Sequence, residues 1–426
     1  MTPTKSIEVI PMPRNPRLSA ANKTAAKCML MVLLLAVSAR AGPRYKVLHA
    51  FGRGKDGGGL WGSVMLDSKG DVYGTTSGGG TGGQGTVFEL RPDSNGRWSE
   101  TVLHNFPSSA DDGQGPTSSL IVDAAGSLYG TTGGGGGPYK IGTIFKLTRQ
   151  SDGSWTERTL YSFGTHKNDG YQPYAGVALD RKTGRLYGTA PHGGPALGGA
   201  AFELKPDSGG WQETLVDTFS KKNDGGGPYA GLILDSAGNL YGTTEGGGAH
   251  TYGTVYEVQH TSAGWKEHVL HSFPAFVGDG EIPGVGALTI DGSGSLYGTT
   301  AGGGCCGGTV FKLTPGTNGH WKEAILYDFQ GGVSGFEPGA GVVMDRAGNL
   351  YGTTIAGGSP QCGCGVVYKL APGSKGKWTY TMLHTFTGND GAQPDANLIL
   401  DSKGNLYGTT ATGGANGAGV VFELTP

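Results

Sequence analysis

The sequence predicts an all-β chain built from seven copies of one unit, and three observations carry that prediction. A Tyr-Gly pair returns at Tyr73, Tyr129, Tyr187, Tyr241, Tyr297, Tyr351 and Tyr407, in steps of 54 to 58 residues, and a fixed period of that size is the mark of a repeat architecture. Glycine supplies 84 of the 426 residues, nearly three times ordinary usage of about 7%, and recurs in register between apolar runs, as turn chemistry does. Each period holds four short candidate strands rich in β-branched and aromatic residues, separated by Gly, Asn, Asp and Pro clusters.

The chain opens on a leader. Residues 29–39 form an apolar run, preceded by Lys23 and Lys27 and followed by Ala41, so that Ala39-Arg40-Ala41 makes a small-x-small cleavage pattern. Residues 1–41 are read as a signal peptide cleaved after Ala41, and residues 42–426 as the repeat domain. The apolar run is too short to span a bilayer in the mature protein, so the expected location is secreted or periplasmic, without a transmembrane segment. Removing the leader takes away six of 32 basic and one of 34 acidic residues, leaving 26 against 33 and a net charge of −7. A surface of that sign repels phosphate backbones, and no basic cluster with interleaved aromatics appears, which excludes nucleic acid as a partner class.

Within the fourth period the strands are read as 231–235, 239–244, 253–258 and 265–273. The turn between the first two opens on Asp235 and closes on Gly238, and its counterparts open on Asp67, Asp123, Asp180, Asp291, Asp345 and Asp401. These aspartates are read as turn residues, whose carboxylates accept local N–H groups. In Leu240-Tyr241-Gly242-Thr243-Thr244 the two-residue period places Tyr241 and Thr243 on one face and Gly242 on the other. The tyrosine is read as core, and the glycine as a place where a neighbouring sheet comes close. In the third strand an aromatic alternates with a charge, as at Phe88/Glu89, Phe145/Lys146, Tyr256/Glu257 and Phe311/Lys312, which predicts one packed face and one wet face.

Four-stranded units with two faces to cover must stack on neighbours, and seven can close radially into a β-propeller. The phase of the repeat sharpens this. The last unit ends at residues 420–424 with its outer strand missing, while Tyr45 to Phe51 match that strand and have no unit of their own. The N-terminal strand is therefore expected to complete the seventh blade.

The pattern L-Y-G-T-T-x-G-G-G, then G-T-V-F-x-L, V-L-H-x-F and N-D-G-x-x-P resembles the GloVer tandem repeat of exported bacterial proteins, over essentially everything after residue 43. That resemblance implies a repeat fold and export, and brings no catalytic residue with it. Members carry varied C-terminal anchors, whereas this sequence runs to Pro426 directly after a strand, which favours a free secreted or periplasmic protein; a monomer is expected.

Chemistry has four candidate places. Asp56, Asp112, Asp169, Asp224, Asp279 and Asp390, with Ser334 in the sixth position, precede the innermost strands. They are read as turn residues before a permissive glycine, the alternative being a ring of carboxylates near the axis that binds cations or polar ligands. Just after them the repeats differ most, at Trp61, Thr117, Tyr174, Tyr229, Val285, Gly339 and Asp395. Variation within a regular ring is where an asymmetric ligand would be read, and aromatic faces suit sugar rings. Trp61, Tyr174, Tyr229 and Asp395 are the candidate ligand-binding rim, with packing at the mouth as the alternative.

Cys305, Cys306, Cys362 and Cys364 lie in equivalent loops of consecutive repeats and are disulfide candidates, expected to cross-link the two loops; their C-C and C-x-C spacing does not suit zinc. His49, His104, His271 and His384 share one outer-strand position with Tyr161, Asp217 and Tyr327, read as a solvent-facing slot. No nucleophile elbow, phosphate loop or HExxH motif is present, and nothing calls for a cofactor, a catalytic residue or a resident metal. The leading expectation is an exported binding or interaction module for a glycan, an envelope component or a protein. A polysaccharide-active enzyme (lyase or hydrolase) would need a constellation unique to one or two blades, and a purely structural surface protein needs no site at all.

Overall fold

Seven antiparallel sheets, six of four strands and that of blade 5 with a fifth strand, Gly280–Pro283, stand where the seven periods lie. This computed structural model describes residues 42–107, 112–274, 278–284, 286–305 and 307–426, so the leader and its cleavage site, Val285 and Cys306 lie outside the described residues. Blade 1 runs outward from Met65–Leu66 through Val72–Thr76 and Thr86–Pro92 to Trp98–Asn105. Blade 4 repeats it with Ile233–Leu234, Leu240–Thr244, Thr254–Thr261 and Gly264–Ser272. The chain is a seven-bladed β-propeller. Its ring closes as the phase of the repeat predicts: Arg44–Ala50 pairs antiparallel with Val420–Thr425 and forms the outer strand of blade 7.

The apolar core is divided among the seven spaces between blades. Tyr73 of blade 1 packs on Leu120, Leu128, Phe145 and Leu147 of blade 2, and Tyr407 of blade 7 packs on Val64, Val72, Phe88 and Leu90 of blade 1. The five remaining tyrosines do the same toward blades 3 to 7. All seven are buried, as expected of a core position. The turn aspartates also behave as read: Asp67 Oδ1 accepts the N–H groups of Lys69 and Asp71, and Asp235 Oδ1 those of Ala237 and Asn239.

Two local expectations are corrected. The recurring glycine makes room for an aromatic ring of its own sheet, not for a neighbouring sheet. Gly74 stands opposite Phe88 on the adjacent strand, and a Cβ at Gly74 would meet the Phe88 ring at 2.5 Å; Gly242 is covered in the same way by Tyr256. The charges of the third strand are half-buried or, at Glu89 and Glu203, buried rather than freely facing water, because they stand opposite the tyrosines in register. Tyr73 Oη donates to Glu89 at 2.5 Å and Tyr241 Oη to Glu257 at 2.9 Å, while Lys146 and Lys312 lie 4.9 and 5.0 Å from the ring centres of Tyr129 and Tyr297. The hydroxyl of a tyrosine wedged between sheets needs a partner; a third-strand glutamate supplies it in blades 1, 4 and 7, and the turn aspartate in blades 2, 5 and 6.

The Asp-Gly loops and the outer-strand histidines bring a third correction. The loop aspartates lie at the rim beside the outer strands rather than around the axis. His49 Nε2 is 3.5 Å from Asp56, His104 Nε2 3.3 Å from Asp112 and His384 Nε2 3.0 Å from Asp390, and these side chains are largely buried. A glutamate from the next blade's outer strand joins several of these groups. Burial, then the nearby Asp56, pushes the carboxyl of Glu100 up to about 7, and burial with Asp217 and Asp224 pushes Glu267 up to about 8. The position is thus an interblade slot, which the sequence could not reveal because the glutamate stands about 50 residues from the histidine it faces.

Two expectations follow. Phe51 is fully buried at the joint between blades 7 and 1, so Phe51→Ala should cost about 3–5 kcal/mol, and deletion of residues 42–51 should lower the melting temperature sharply; an unchanged melt would mean that the ring does not depend on this strand. A carboxyl whose folded pKa lies above its unfolded value of about 4.3 stabilises the fold at low pH and loses that contribution as the pH rises through the folded value. The melting temperature should therefore fall as the pH rises from about 7 through 8, the folded value of Glu267, and Glu267→Gln should fall less steeply over the same range.

Candidate functional site

A clamp repeated in every blade presents one residue to the mouth of the central channel. Ahead of each innermost strand a residue in the left-handed region is followed by Pro116, Pro173, Pro228, Pro283, Pro338 or Pro394, or by Leu60 in blade 1. The pyrrolidine ring seats against a positive-φ glycine of the preceding blade. A Cβ at Gly365 would meet Pro394 at 2.8 Å, and one at Gly85 would meet Pro116 at the same distance. Backbone bonds fix the residue before it: Gln393 N–H donates to the Cys364 carbonyl at 3.1 Å, and the Gln393 carbonyl accepts from Ala411 N–H at 3.0 Å. Ile282, a β-branched residue at φ 55°, tolerates a conformation that such residues avoid because the same clamp holds it. The residue after the proline is then left facing the axis.

Trp61, Tyr174, Tyr229 and Asp395 meet there around one cavity of about 450 Å³, with Ser119, Asn397 and the backbone of Gly62, Gly176 and Gly231 in its wall. The rings of Tyr174 and Tyr229 lie nearly parallel, with centres 6.2 Å apart and planes 12° from each other. Trp61 is 44% exposed, an indole presented to solvent at the edge of the cavity. Thr117 also lines the wall, and its hydroxyl donates to the Tyr174 carbonyl at 3.2 Å.

Asp395 is the cavity's polar anchor. Gly339 of blade 6 makes room for it, since a Cβ there would meet Asp395 Oδ1 at 2.5 Å. That oxygen is buried and has no hydrogen-bond partner among the described residues. Burial, reinforced by Glu337, pushes the carboxyl up to about 6, so it exchanges its proton near neutral pH. A group of this kind can accept a hydrogen bond from a ligand hydroxyl, or give and take a proton.

Sequence reasoning missed the neighbours of Tyr229. His192 stands edge-on to it, ring centres 5.7 Å apart, with Nε2 3.4 Å from the tyrosine hydroxyl. Burial, with Lys221 nearby, pushes the imidazole pKa down, while burial, with Glu245 and Tyr174, pushes the Tyr229 hydroxyl up. His192, Lys221, Glu245 and Tyr229 border a second cavity of about 420 Å³. The signal was present in the residues directly after Tyr-Gly-Thr-Thr: where other repeats have small residues, blade 3 has Pro191-His192, blade 4 Glu245 and blade 6 Ile355.

The cysteines do not cross-link the two loops as expected. Cys362 and Cys364 are bonded to each other within one loop of blade 6, because Gly363 at φ 59° folds the chain back between them. Cys305 lies in the equivalent loop of blade 5, with Sγ 3.0 Å from Gln330 Oε1.

Among known proteins, the family model of the Gloeobacter/Verrucomicrobia repeat matches residues 37–235, 184–359 and 285–426. No curated protein matches the sequence. Solved structures that are similar include a gluconolactonase from Xanthomonas campestris, at 14% identity over 91% of each chain with a TM-score of 0.41. A candidate 6-phosphogluconolactonase from Bacteroides uniformis matches at 14% identity over 79% of this chain and 88% of its own, with a TM-score of 0.50. At such identities the likeness is one of fold.

Proposed function

The chain belongs to the Gloeobacter/Verrucomicrobia repeat family, and on that premise we propose that its propeller is an exported binding module whose channel mouth takes a glycan ring, such as a unit of an envelope polysaccharide. The observation that carries this reading is the convergence of Trp61, Tyr174 and Tyr229 with the Asp395 carboxyl around one cavity. Sugar rings offer an apolar face to an aromatic and hydroxyls to a carboxylate, and both needs are met within a volume typical of ligand pockets. The four residues come from blades 1, 3, 4 and 7, so the cavity is asymmetric although the ring is nearly regular. Variation concentrated around one cavity suits recognition better than scaffolding does.

A second reading rests on Asp395 itself. A buried carboxyl poised near pH 6 beside a sugar-sized cavity suits a general acid or base, and would make the protein an enzyme acting on the glycan it holds. The activities named for structurally similar propellers are not carried over to this chain.

Incubating the protein with a panel of polysaccharides, and scoring both retention and depolymerisation, separates the readings. Retention without new chain ends supports the binding module, and product that vanishes in Asp395→Asn supports the enzyme. Neither signal would leave a structural protein. For a retained ligand, Trp61→Ala and Tyr229→Ala should each weaken affinity by about 10-fold or more, the equivalent of about 1.4 kcal/mol; unchanged affinity in both would remove the channel mouth as the site.

A further inference from the structure

The interblade slots at the rim hold side chains that neither the channel mouth nor the packing of the blades uses. Among the described residues, two slots bring one histidine and two carboxylates together with a ligand atom of each within 4.8 Å of the others: His271, Asp279 and Glu323 between blades 4 and 5, and His104, Asp112 and Glu157 between blades 1 and 2. In each, the histidine comes from the outer strand of one blade, the aspartate from the loop that follows, and the glutamate from the outer strand of the next.

We propose that the slot between blades 4 and 5 binds a divalent first-row transition ion, zinc or manganese, through His271 Nε2 and one carboxylate oxygen each of Asp279 and Glu323, and that the slot between blades 1 and 2 repeats the site.

Distance, burial and orientation support this. His271 Nε2 stands 3.4 Å from Glu323 Oε2, and two ligands on one ion at about 2.0–2.2 Å are separated by about 3.0–3.6 Å. His104 Nε2 and Asp112 Oδ2 are spaced in the same way at 3.3 Å. Among the described residues His271 Nε2 and Glu323 Oε1 are both buried without a hydrogen-bond partner, a state that buried polar groups rarely keep unless something else satisfies them. The ligands are also oriented from behind. Asp279 Oδ1 accepts Gly280 N–H at 2.7 Å and Asp112 Oδ1 accepts Gly113 N–H at 2.6 Å. Phe273 and Phe106 hold the two imidazoles edge-on at 4.7 Å. Such outer contacts are what set the direction of a metal ligand. The mixed nitrogen and oxygen donors suit zinc or manganese better than calcium, which prefers oxygen alone. The slot between blades 2 and 3 supplies an internal contrast, for there Tyr161 replaces histidine and its hydroxyl donates to Asp169 at 2.9 Å.

The test uses the full chain, stripped with chelator, titrated separately with zinc and manganese and analysed for bound metal after gel filtration. Two ions per chain are expected in the wild type and in Glu213→Gln, one in Glu323→Gln or Glu157→Gln, and none in the double variant. A wild type that keeps neither ion, or a double variant that keeps both, overturns the proposal. An ion lost with one glutamine but indifferent to the other supports that slot and overturns its counterpart. Should a variant fail to fold, cobalt(II) uptake by the wild type decides: visible d–d bands displaced by zinc support the site, and their absence overturns it.

Discussion

Everything in this propeller depends on the second strand of each blade, where a polar atom without a partner is costly. All five residues of Leu240–Thr244 are buried, and so are those of the six matching segments from Val72–Thr76 to Leu406–Thr410. A strand buried on both faces must account for its hydroxyls as well as its volume. The tyrosine hydroxyls reach a neighbouring carboxylate. The inner threonine donates across the gap to the next blade: Thr75 to the Ser118 carbonyl at 2.9 Å, Thr131 to Ala175 at 2.9 Å, Thr299 to Ala340 at 2.8 Å and, across the closure, Thr409 to Gly62 at 3.1 Å. The outer threonine pairs with the first residue of the third strand, as Thr76 does with Thr86 at 2.9 Å. Tyr, Gly, Thr and Thr are therefore each fixed by a separate requirement, which is why the tetrad recurs almost unchanged.

That regularity explains what the sequence made legible. The blade number, the strand order and the ring closure follow from period and phase, since only one leftover segment, Tyr45 to Phe51, matched the one missing strand. The rim of the channel was legible for the complementary reason: Trp61, Tyr174, Tyr229 and Asp395 depart from the repeat at the position that the proline clamp aims at the axis. The pairing of tyrosines with third-strand charges was misread because alternation of Phe88 with Glu89 is also what a half-wet strand shows. Only the register, with Tyr73 opposite Glu89, tells a buried pair from a solvent face. The rim slots were illegible for a different reason. Their members come from two blades, and no local pattern announces that Glu323 will face His271.

Among the described residues, the threonine pattern breaks beside the cavity. Thr353 Oγ1 is buried without a partner, although its equivalents in blades 1, 2, 3, 5 and 7 donate to the entry segment of the next blade. The entry segment that follows blade 6 is the one that carries Asp395, whose Oδ1 is likewise unpartnered, and the neighbouring blade supplies only Gly339 to cover it. Two orphan polar groups at this junction, like those in the interblade slots, are a local conflict of the kind that functional sites keep. A ligand hydroxyl able to donate to Asp395 would relieve it.

Axis and rim differ in what they can do, and the difference is geometric. At the axis, entry segments from several blades converge on a single volume, so one substitution such as Gly339 or Asp395 changes the whole site and the sites cannot multiply. At the rim the blades diverge, and each slot sees only its two neighbours, so His271 with Glu323 and Tyr161 with Asp169 can hold different chemistry within one ring. A single asymmetric ligand would therefore be recognised at the axis. Repeated small sites, each binding its own ion or sharing its own proton, belong at the rim, where the loss of one leaves the other slots intact.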